Sequence, residues 1–298
     1  MKIKLQEANL AAELQHFRWQ LALVGNAVDE RGKAAVEFAQ NNSDESRIFT
    51  YSPETFRSTL GGASQNAEQT GELLRAEAGK KILLETTTLG FVEIFLATRA
   101  LSQLGISEFH LLYVEPGEYA SPRRSNLLYR REFELSDAVP GYQGIPGATL
   151  VSTSRTLQRS VFFLGYEERR LDVALDSQMA RPSETAVVFG VPAFTPGWEM
   201  NSFANNIRVI RDNNISGGVH FCGAENPLAA FEIVSEIYDS LSTDERLVVG
   251  PIGTKPNGIG VALFVASHSD VGILYDHPKR SAGRSKSTAK WHLYTVVS

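Results

Sequence analysis

Two long runs of the chain share one order of features. The first covers residues 81–116 and the second covers residues 246–278. Each run has an apolar strand, a turn rich in Gly and Thr, a helix, and a second strand that ends in a tyrosine three residues before a proline. This plan predicts duplicated units with parallel strands, because a crossover helix returns the chain in its starting direction. Ligands of open parallel sheets bind outside the carboxyl ends of the strands, so the repeat indicates where to expect a site.

The remainder of the chain extends the same plan. The apolar runs at residues 21–24 and 161–164 are each followed by a glycine and then by a helix that opens with an acid–arginine pair. Residues 138–150 hold two prolines and three glycines at the midpoint and predict a connection. We therefore predict an α/β protein of two Rossmann-like halves, with mostly parallel sheets, flanking helices and an internal duplication. The halves are residues 1–148 and 149–298; one continuous sheet is the alternative.

Composition restricts the class of protein. The formal net charge of −5 gives no general affinity for nucleic acid, so an anion site requires a local concentration of cations. A single cysteine excludes a disulfide framework and fits a reducing compartment. The first 17 residues read as an amphipathic helix and not as a secretory signal, and no apolar stretch is long enough for a membrane span. We predict a cytoplasmic protein with no membrane partner. No histidine or acid has the spacing of metal ligands, so we predict no metal and no cofactor.

Two turns follow the buried strands of the repeat. The first is residues 85–90 and the second is residues 250–260. Small residues there allow the N–H groups of a helix N-terminus to approach an anion, and hydroxyls and an ammonium group can add to that interaction. The candidate residues are Thr86, Thr87, Thr88, Gly253, Thr254 and Lys255. The alternative is that Gly and Thr serve turn geometry and helix capping only.

A basic loop follows the last strand of each run. The cations that we select are Arg123 and Arg124 in the first loop, and Lys279, Arg280 and Arg284 in the second. Both loops leave the predicted carboxyl edge, so we expect them to form a phosphate pocket in a cleft between the halves. Tyr113 and Tyr275 end the preceding strands and are candidates to stack on a base. Solvated charge on surface loops and tyrosines in the core are the alternatives.

The duplicated plan and the Gly253–Thr254–Lys255 turn resemble CARF-type sensor domains and the SAVED domains, which fuse two CARF-like units. The resemblance covers the architecture of most of the chain, but its specific match is the short turn. It implies binding of a cyclic oligonucleotide signal in antiviral defence. The chain departs from the pattern because the two halves use nearly all of its residues and leave no obvious attached effector domain. The alternatives are then a separate effector or complex partner protein, or a different activity altogether.

These observations lead to one preferred function and two alternatives. We predict a protein that binds a nucleotide or another phosphorylated ligand. The first alternative is a hydrolase or glycosyl-group enzyme acting on a nucleotide or nucleic acid, with Glu85, Glu115 or Glu168 as its carboxylate. The second is a non-catalytic subunit of a larger defence complex, whose basic loops contact a partner protein or nucleic acid.

Overall fold

A computed structural model describes residues 1–119, 123–124, 131–132, 135–150, 156–167 and 169–297. Within these residues there are seven α-helices, namely α1 (Glu30–Asn41), α2 (Thr70–Leu74), α3 (Phe91–Gln103), α4 (Arg169–Asp176), α5 (Glu199–Asp212), α6 (Pro227–Asp239) and α7 (Lys255–Ser267). The strands are β1 (Lys2–Ala8), β2 (Trp19–Val24), β3 (Ser43–Ser52), β4 (Arg57–Leu60), β5 (Ala63–Asn66), β6 (Ile82–Glu85), β7 (Glu108–Tyr119), β8 (Arg123–Arg124), β9 (Arg131–Glu132), β10 (Ser136–Ala138), β11 (Gln143–Gly144), β12 (Leu157–Leu164), β13 (Thr185–Gly190), β14 (Val219–Cys222), β15 (Glu245–Pro251), β16 (Gly272–Tyr275), β17 (Lys279–Arg280) and β18 (Ser285–Val297).

The chain forms two compact units. Unit 1 contains Met1–Ala120 and Ser281–Ser298, and unit 2 contains Ser121–Arg280. This division differs from the boundary predicted between residues 148 and 149. The C-terminal strand β18 lies in unit 1 because it pairs antiparallel with both β1 and β7.

The sheet of unit 1 has eight strands in the order β1-β18-β7-β6-β2-β3-β4-β5. Its four middle strands, β7, β6, β2 and β3, run parallel, and the outer strands are antiparallel. The chain passes from β2 to β3 on one side and then returns to β6 on the other. The strand order therefore reverses between β2 and β6, and the connections from their carboxyl ends diverge.

The main sheet of unit 2 has the order β11-β16-β15-β12-β13-β14. All of its strands except the edge strand β11 run parallel. The order reverses between β12 and β15. Both units combine helices with partly parallel sheets, which confirms the prediction of an α/β protein.

Each unit has its own apolar core. In unit 1, Phe38 of α1 packs on Trp291 of β18 and on Trp19 of β2. In unit 2, helices α4 and α5 cover Phe162 and Phe189 of the central strands. Because helices pack on these central strands, the strands are buried, which explains their wholly apolar sequences.

The structure corrects two local predictions. The first residues form the strand β1, and not the amphipathic helix that was predicted, because hydrogen bonding along β18 overrides their local helical pattern. The predicted irregular connection, residues 138–150, includes the short strand β11, which pairs with the end of β16. No helix among the described residues has the length and apolar character that a membrane crossing requires.

Candidate functional site

The turns after β2 and β6 touch at the carboxyl edge of the unit 1 sheet. The N–H of Gly25, which follows β2, donates to Thr88 Oγ1 over 2.8 Å. A Cβ atom at residue 25 would lie 2.4 Å from the carbonyl oxygen of Thr88. Glycine is therefore required where the strand order reverses, since any side chain would separate the two turns.

The predicted threonine turn binds a carboxylate of the protein itself. Glu85, which is fully buried, accepts hydrogen bonds from the N–H of Thr87 at 2.7 Å, from the N–H of Thr88 at 3.0 Å and from the Thr88 hydroxyl. Thr86 donates its hydroxyl to the carbonyl of Leu112. Burial raises the pKa of Glu85, although the hydrogen bonds from Thr88 and Thr87 oppose that rise. The donors of the turn are thus occupied by a carboxyl group of the protein itself, the side chain of Glu85.

A polar cluster lies beside this turn, at the start of α1. Asp29 caps the helix by accepting from the N–H of Gly32 at 2.8 Å, and it also accepts from the hydroxyl of Ser285. Burial raises the pKa of Asp29, but the Ser285 hydroxyl, Arg31, the Gly32 N–H and Arg284 together leave that pKa below its usual value of 3.8. Asp29 is therefore ionised at neutral pH.

Arg31 and Tyr113 pack together in the same cluster. The Arg31 Nη1 atom lies 3.2 Å from the carbonyl of Val114 and 3.4 Å from the Tyr113 hydroxyl. The guanidinium carbon is 5.8 Å from the centre of the Tyr113 ring, and His292 stacks on that ring at 6.2 Å. Tyr113 is only 2% exposed. Its predicted role as a stacking platform for a base stays a prediction.

Glu115 pairs with a histidine that the sequence gave no reason to select. Glu115 Oε1 lies 2.6 Å from His292 Nε2, and Glu7 Oε1 lies 3.5 Å from the other ring nitrogen. His292 is fully buried. The residues of the pair are 177 positions apart and meet because β7 pairs with β18. Only a prediction of that strand pairing could have brought them together.

In unit 2, the predicted Gly-Thr-Lys turn starts helix α7. Thr254 is the N-cap; its hydroxyl lies 2.6 Å from the carbonyl of Ala224 and 3.4 Å from the N–H of Asn257. Lys255 is the first residue of the helix and is partly exposed. A Cβ atom at Gly253 would lie 3.1 Å from the carbonyl of Leu164, so the turn packs closely on the end of β12. The turn lies where the strand order of unit 2 reverses.

The predicted second basic loop divides between the two units. Lys279, which is exposed, and Arg280, which is partly exposed, form β17 of unit 2 and pair with β10. Arg284 belongs to unit 1, where its charge acts on Asp29. The backbone of Arg123 and Arg124 forms β8, but their side chains lie outside the described part of the chain, as does Glu168 entirely.

A buried ion pair connects α4 with the end of β16. Arg170 donates from Nε and Nη2 to the two carboxylate oxygens of Asp276, over 2.7 and 2.6 Å, and from Nη1 to the carbonyl of Ile252. Its guanidinium carbon is 6.0 Å from the centre of the Tyr275 ring. Arg170 directly follows Glu168–Arg169, the acid–arginine pair with which the sequence opens this helix. Tyr275, which is partly exposed, is thus a neighbour of a neutralised arginine.

The predicted residues therefore fall into two groups, one at the carboxyl edge of each sheet. The unit 1 group is Glu85, Thr86, Thr87, Thr88, Tyr113, Glu115 and Arg284, and the unit 2 group is Gly253, Thr254, Lys255, Tyr275, Lys279 and Arg280.

Other candidate chemistry is sparse in the part of the chain that the structure describes. It contains no group of three or more His, Cys, Asp or Glu side chains arranged to hold a metal ion. Burial raises the pKa of the Cys222 thiol to about 12, which leaves it protonated and unreactive at neutral pH. A cavity of about 290 Å³ opens at the opposite edge of the unit 2 sheet, beside the ion pairs of Arg159 with Glu184 and Glu245, but none of the predicted residues lines it.

Comparison with protein-family models gives no match for this chain, and comparison with curated proteins gives none either.

Proposed function

We propose that this protein binds a nucleotide or another phosphorylated ligand at the carboxyl edge of its parallel strands. The observation that carries the proposal is the position of the turn before α7, which lies where the strand order of unit 2 reverses. Backbone N–H groups at the start of a helix attract anions, and Lys255 adds a full positive charge at that end. Lys279 and Arg280 follow the neighbouring strand β16 and are proposed to neutralise further phosphate charge.

The proposal includes a Rossmann-like arrangement of each unit and an origin by duplication. What supports it is the shared order of four parallel strands, β3-β2-β6-β7 in unit 1 and β13-β12-β15-β16 in unit 2. A second support is the glycine after the central strand. A Cβ atom at Gly25 would meet the carbonyl of Thr88, and one at Gly165 would lie 2.9 Å from the carbonyl of Ile252. The same close approach of two turns thus occurs in both units.

The remaining predicted residues have secondary roles in this proposal. Tyr275 is proposed to stack on a base, since it ends β16 and is partly exposed. Arg123, Arg124 and Arg284 are proposed to add positive charge. Thr86, Thr87, Thr88 and Tyr113 are proposed to support the unit 1 edge rather than to contact phosphate, because their hydroxyl and N–H groups bond within the protein.

The test is a binding measurement on a double variant. A ligand is first identified by thermal-shift screening against mono-, di- and cyclic nucleotides, since a ligand of the folded state raises the unfolding temperature. Calorimetric titration of Lys255→Ala/Arg280→Ala should then show affinity weaker by about tenfold or more, as two charge-assisted contacts are lost. Lys2→Ala/Lys4→Ala is the matched control, because it removes two exposed lysines from β1. Equal affinity of both double variants and the wild type would contradict the proposal.

The resemblance to CARF and SAVED domains narrows the ligand to a proposed cyclic oligonucleotide signal in antiviral defence. A screen in which cyclic di- and trinucleotides stabilise the protein more than linear ones supports this narrower proposal. Stabilisation by mononucleotides alone would reject it and leave the broader proposal in place.

One observation favours a second candidate, an enzyme acting on a nucleotide. The pair formed by Glu115 and His292 at 2.6 Å is an arrangement that supports acid–base chemistry, because the carboxylate orients and stabilises the imidazole. Turnover of a nucleotide panel that is abolished by Glu115→Gln but retained by Glu85→Gln would favour the enzyme. Absence of turnover in the wild type would reject it.

A further inference from the structure

The two units contain arginines at corresponding positions with different partners. Arg31 and Arg170 are each the second residue of the first helix after the central strand. Each guanidinium carbon lies about 6 Å from the ring of the tyrosine near the end of the last parallel strand, at 5.8 Å from Tyr113 and 6.0 Å from Tyr275. Each also donates from Nη1 to a backbone carbonyl. The surroundings of the two guanidinium groups can therefore be compared atom by atom.

The two arginines differ in what binds the edge of the guanidinium that carries Nε and Nη2. In unit 2, this edge binds both carboxylate oxygens of Asp276. In unit 1, the residue after the tyrosine is Val114, which offers no carboxylate. Among the residues that the structure describes, the buried Nε atom of Arg31 has no hydrogen-bond partner, and Nη2 lies 3.9 Å from Asp29, beyond hydrogen-bonding distance.

The nearby acids do not replace the missing partner. Asp29 accepts hydrogen bonds on both oxygens, from the Gly32 N–H and from the Ser285 hydroxyl. Glu115 is paired with His292. Neither carboxylate is thus placed to bind Nε and Nη2 together.

Arg31 is itself only 3% exposed, so its charge is held away from water with an incomplete set of partners. A guanidinium is charged at any pH of interest, and a pair of N–H groups on one edge matches two oxygens of a carboxylate or phosphate. We propose that the Nε and Nη2 edge of Arg31 is a binding site for an oxyanion, a carboxylate or a phosphate group of a ligand, and that Asp276 supplies the equivalent group internally in unit 2.

Charge and exposure around Arg31 agree with this assignment. Arg284 adds a second positive charge, which acts on Asp29 and on Tyr113. Among the described residues, the negative charges of the cluster are Asp29 and Glu115. Tyr119 and Arg284 are its partly exposed members, so these two side chains connect the cluster with solvent. The inferred site lies in unit 1, and the inference does not depend on the role proposed for Lys255.

The test uses the Nε–H resonance of Arg31, which is identified by its loss in Arg31→Lys. Titration of the wild type with inorganic phosphate, and separately with acetate, should shift this resonance to saturation. A response to phosphate alone identifies a phosphate site, a response to acetate alone identifies a carboxylate site, and a response to both leaves the shared oxyanion chemistry as stated. No shift with either anion would overturn the proposal.

Val114→Asp supplies the internal carboxylate that unit 2 has at residue 276. In this variant the Arg31 resonance should be shifted at the outset and should not respond to phosphate or acetate. Val114→Asn is the matched control, because it has similar size but no charge, and it should retain the response. If Val114→Asp does not fold, the proposal is tested with Arg31→Lys instead. The affinity of this variant for the responding anion should be weaker by roughly tenfold, since lysine keeps the charge but lacks the paired donors.

An unchanged anion response in either Val114→Asp or Arg31→Lys, measured by the rise in unfolding temperature, would overturn the proposal. Lys255→Ala/Arg280→Ala should leave the Arg31 response intact. The proposed function and this inference therefore fail in different variants.

Discussion

Removing the charge of Asp276 should destabilise unit 2 strongly. Asp276 is fully buried, and Arg170, its bidentate partner, is 8% exposed. Asp276→Asn preserves the shape of the side chain but removes the bidentate negative partner of the buried Arg170 guanidinium. The remaining negative neighbour among the described residues is Glu167, whose Oε2 lies 3.8 Å from Nη1, beyond hydrogen-bonding distance. The amide also turns an NH₂ group towards the guanidinium, or offers it one oxygen in place of two.

The magnitude follows from the burial of both groups. Two unit charges about 4 Å apart interact with about 4 kcal/mol at an effective dielectric constant of about 20. Breaking a buried pair by removing one partner costs about 3–5 kcal/mol. Hydrogen exchange measured by mass spectrometry on β12 and β13 should report a fall of that size in the free energy of opening, because it reads the stability of individual strands.

The chain offers a close control in the same unit. Arg211 and Asp212 also form an ion pair, with Nη2 and Oδ1 2.7 Å apart, but their side chains are 75% and 49% exposed. Asp212→Asn should cost no more than about 1 kcal/mol, because solvent screens an exposed pair. If Asp276→Asn costs as little as Asp212→Asn, the argument that burial governs the energetics of this edge is wrong.

Two further predictions concern the pH dependence of stability in unit 1, measured by urea unfolding. The pKa of Asp29 is lowered from 3.8, so the contribution of its charge to the free energy of unfolding is present above that pH and is lost as the pH falls through the folded-state pKa. The stability deficit of Asp29→Asn relative to the wild type should therefore shrink in acid. A deficit that stays constant with pH would contradict this prediction. The pKa of Glu85 is raised from 4.5, so folding favours the protonated form, and stability is lost as the pH rises from 4.5 through the folded-state pKa. Glu85→Gln, which does not titrate at this position, should gain stability relative to the wild type over that rise; a relative loss would mean that the hydrogen bonds from Thr87 and Thr88 outweigh burial.

The elements that the sequence predicts well are those with local signals. The strand β6, the helix α3 and the helix α7 were each expected from an apolar run, a turn and an apolar helix face. These signals are local because burial on both faces of a parallel strand requires a continuous apolar run. The same alternation of strands and helices predicts parallel strands, but the order of the strands, and with it the reversal beside the turn before α7, is shown only by the structure.

Local sequence patterns do not predict which distant strands pair with each other. Lys2–Gln6 alternates polar and apolar residues, but nothing in this short alternation identifies β18 as the strand with which Lys2–Ala8 pairs along its length. The contact between Glu115 and His292 depends on the same C-terminal strand. Nothing near either residue in the sequence shows where the chain end will lie, since the free energy that selects the pairing comes from residues far apart in the chain.

The difference between the partners of Arg31 and of Arg170 could not be predicted from the repeated plan of the sequence. The two runs look alike in sequence because both end in a tyrosine and then a proline, and that resemblance reflects the packing which the two units share. The difference that changes the partners of the arginine is the residue after the tyrosine, valine in one and aspartate in the other. Asp276 completes an ion pair in unit 2, and Val114 at the corresponding position of unit 1 does not. This difference changes neither the hydrophobic periodicity nor the composition of the turns, so it cannot be detected from those patterns. It becomes visible only when each polar atom of the guanidinium is matched to a partner, because an unmatched buried donor costs free energy in a stable fold unless a ligand completes it.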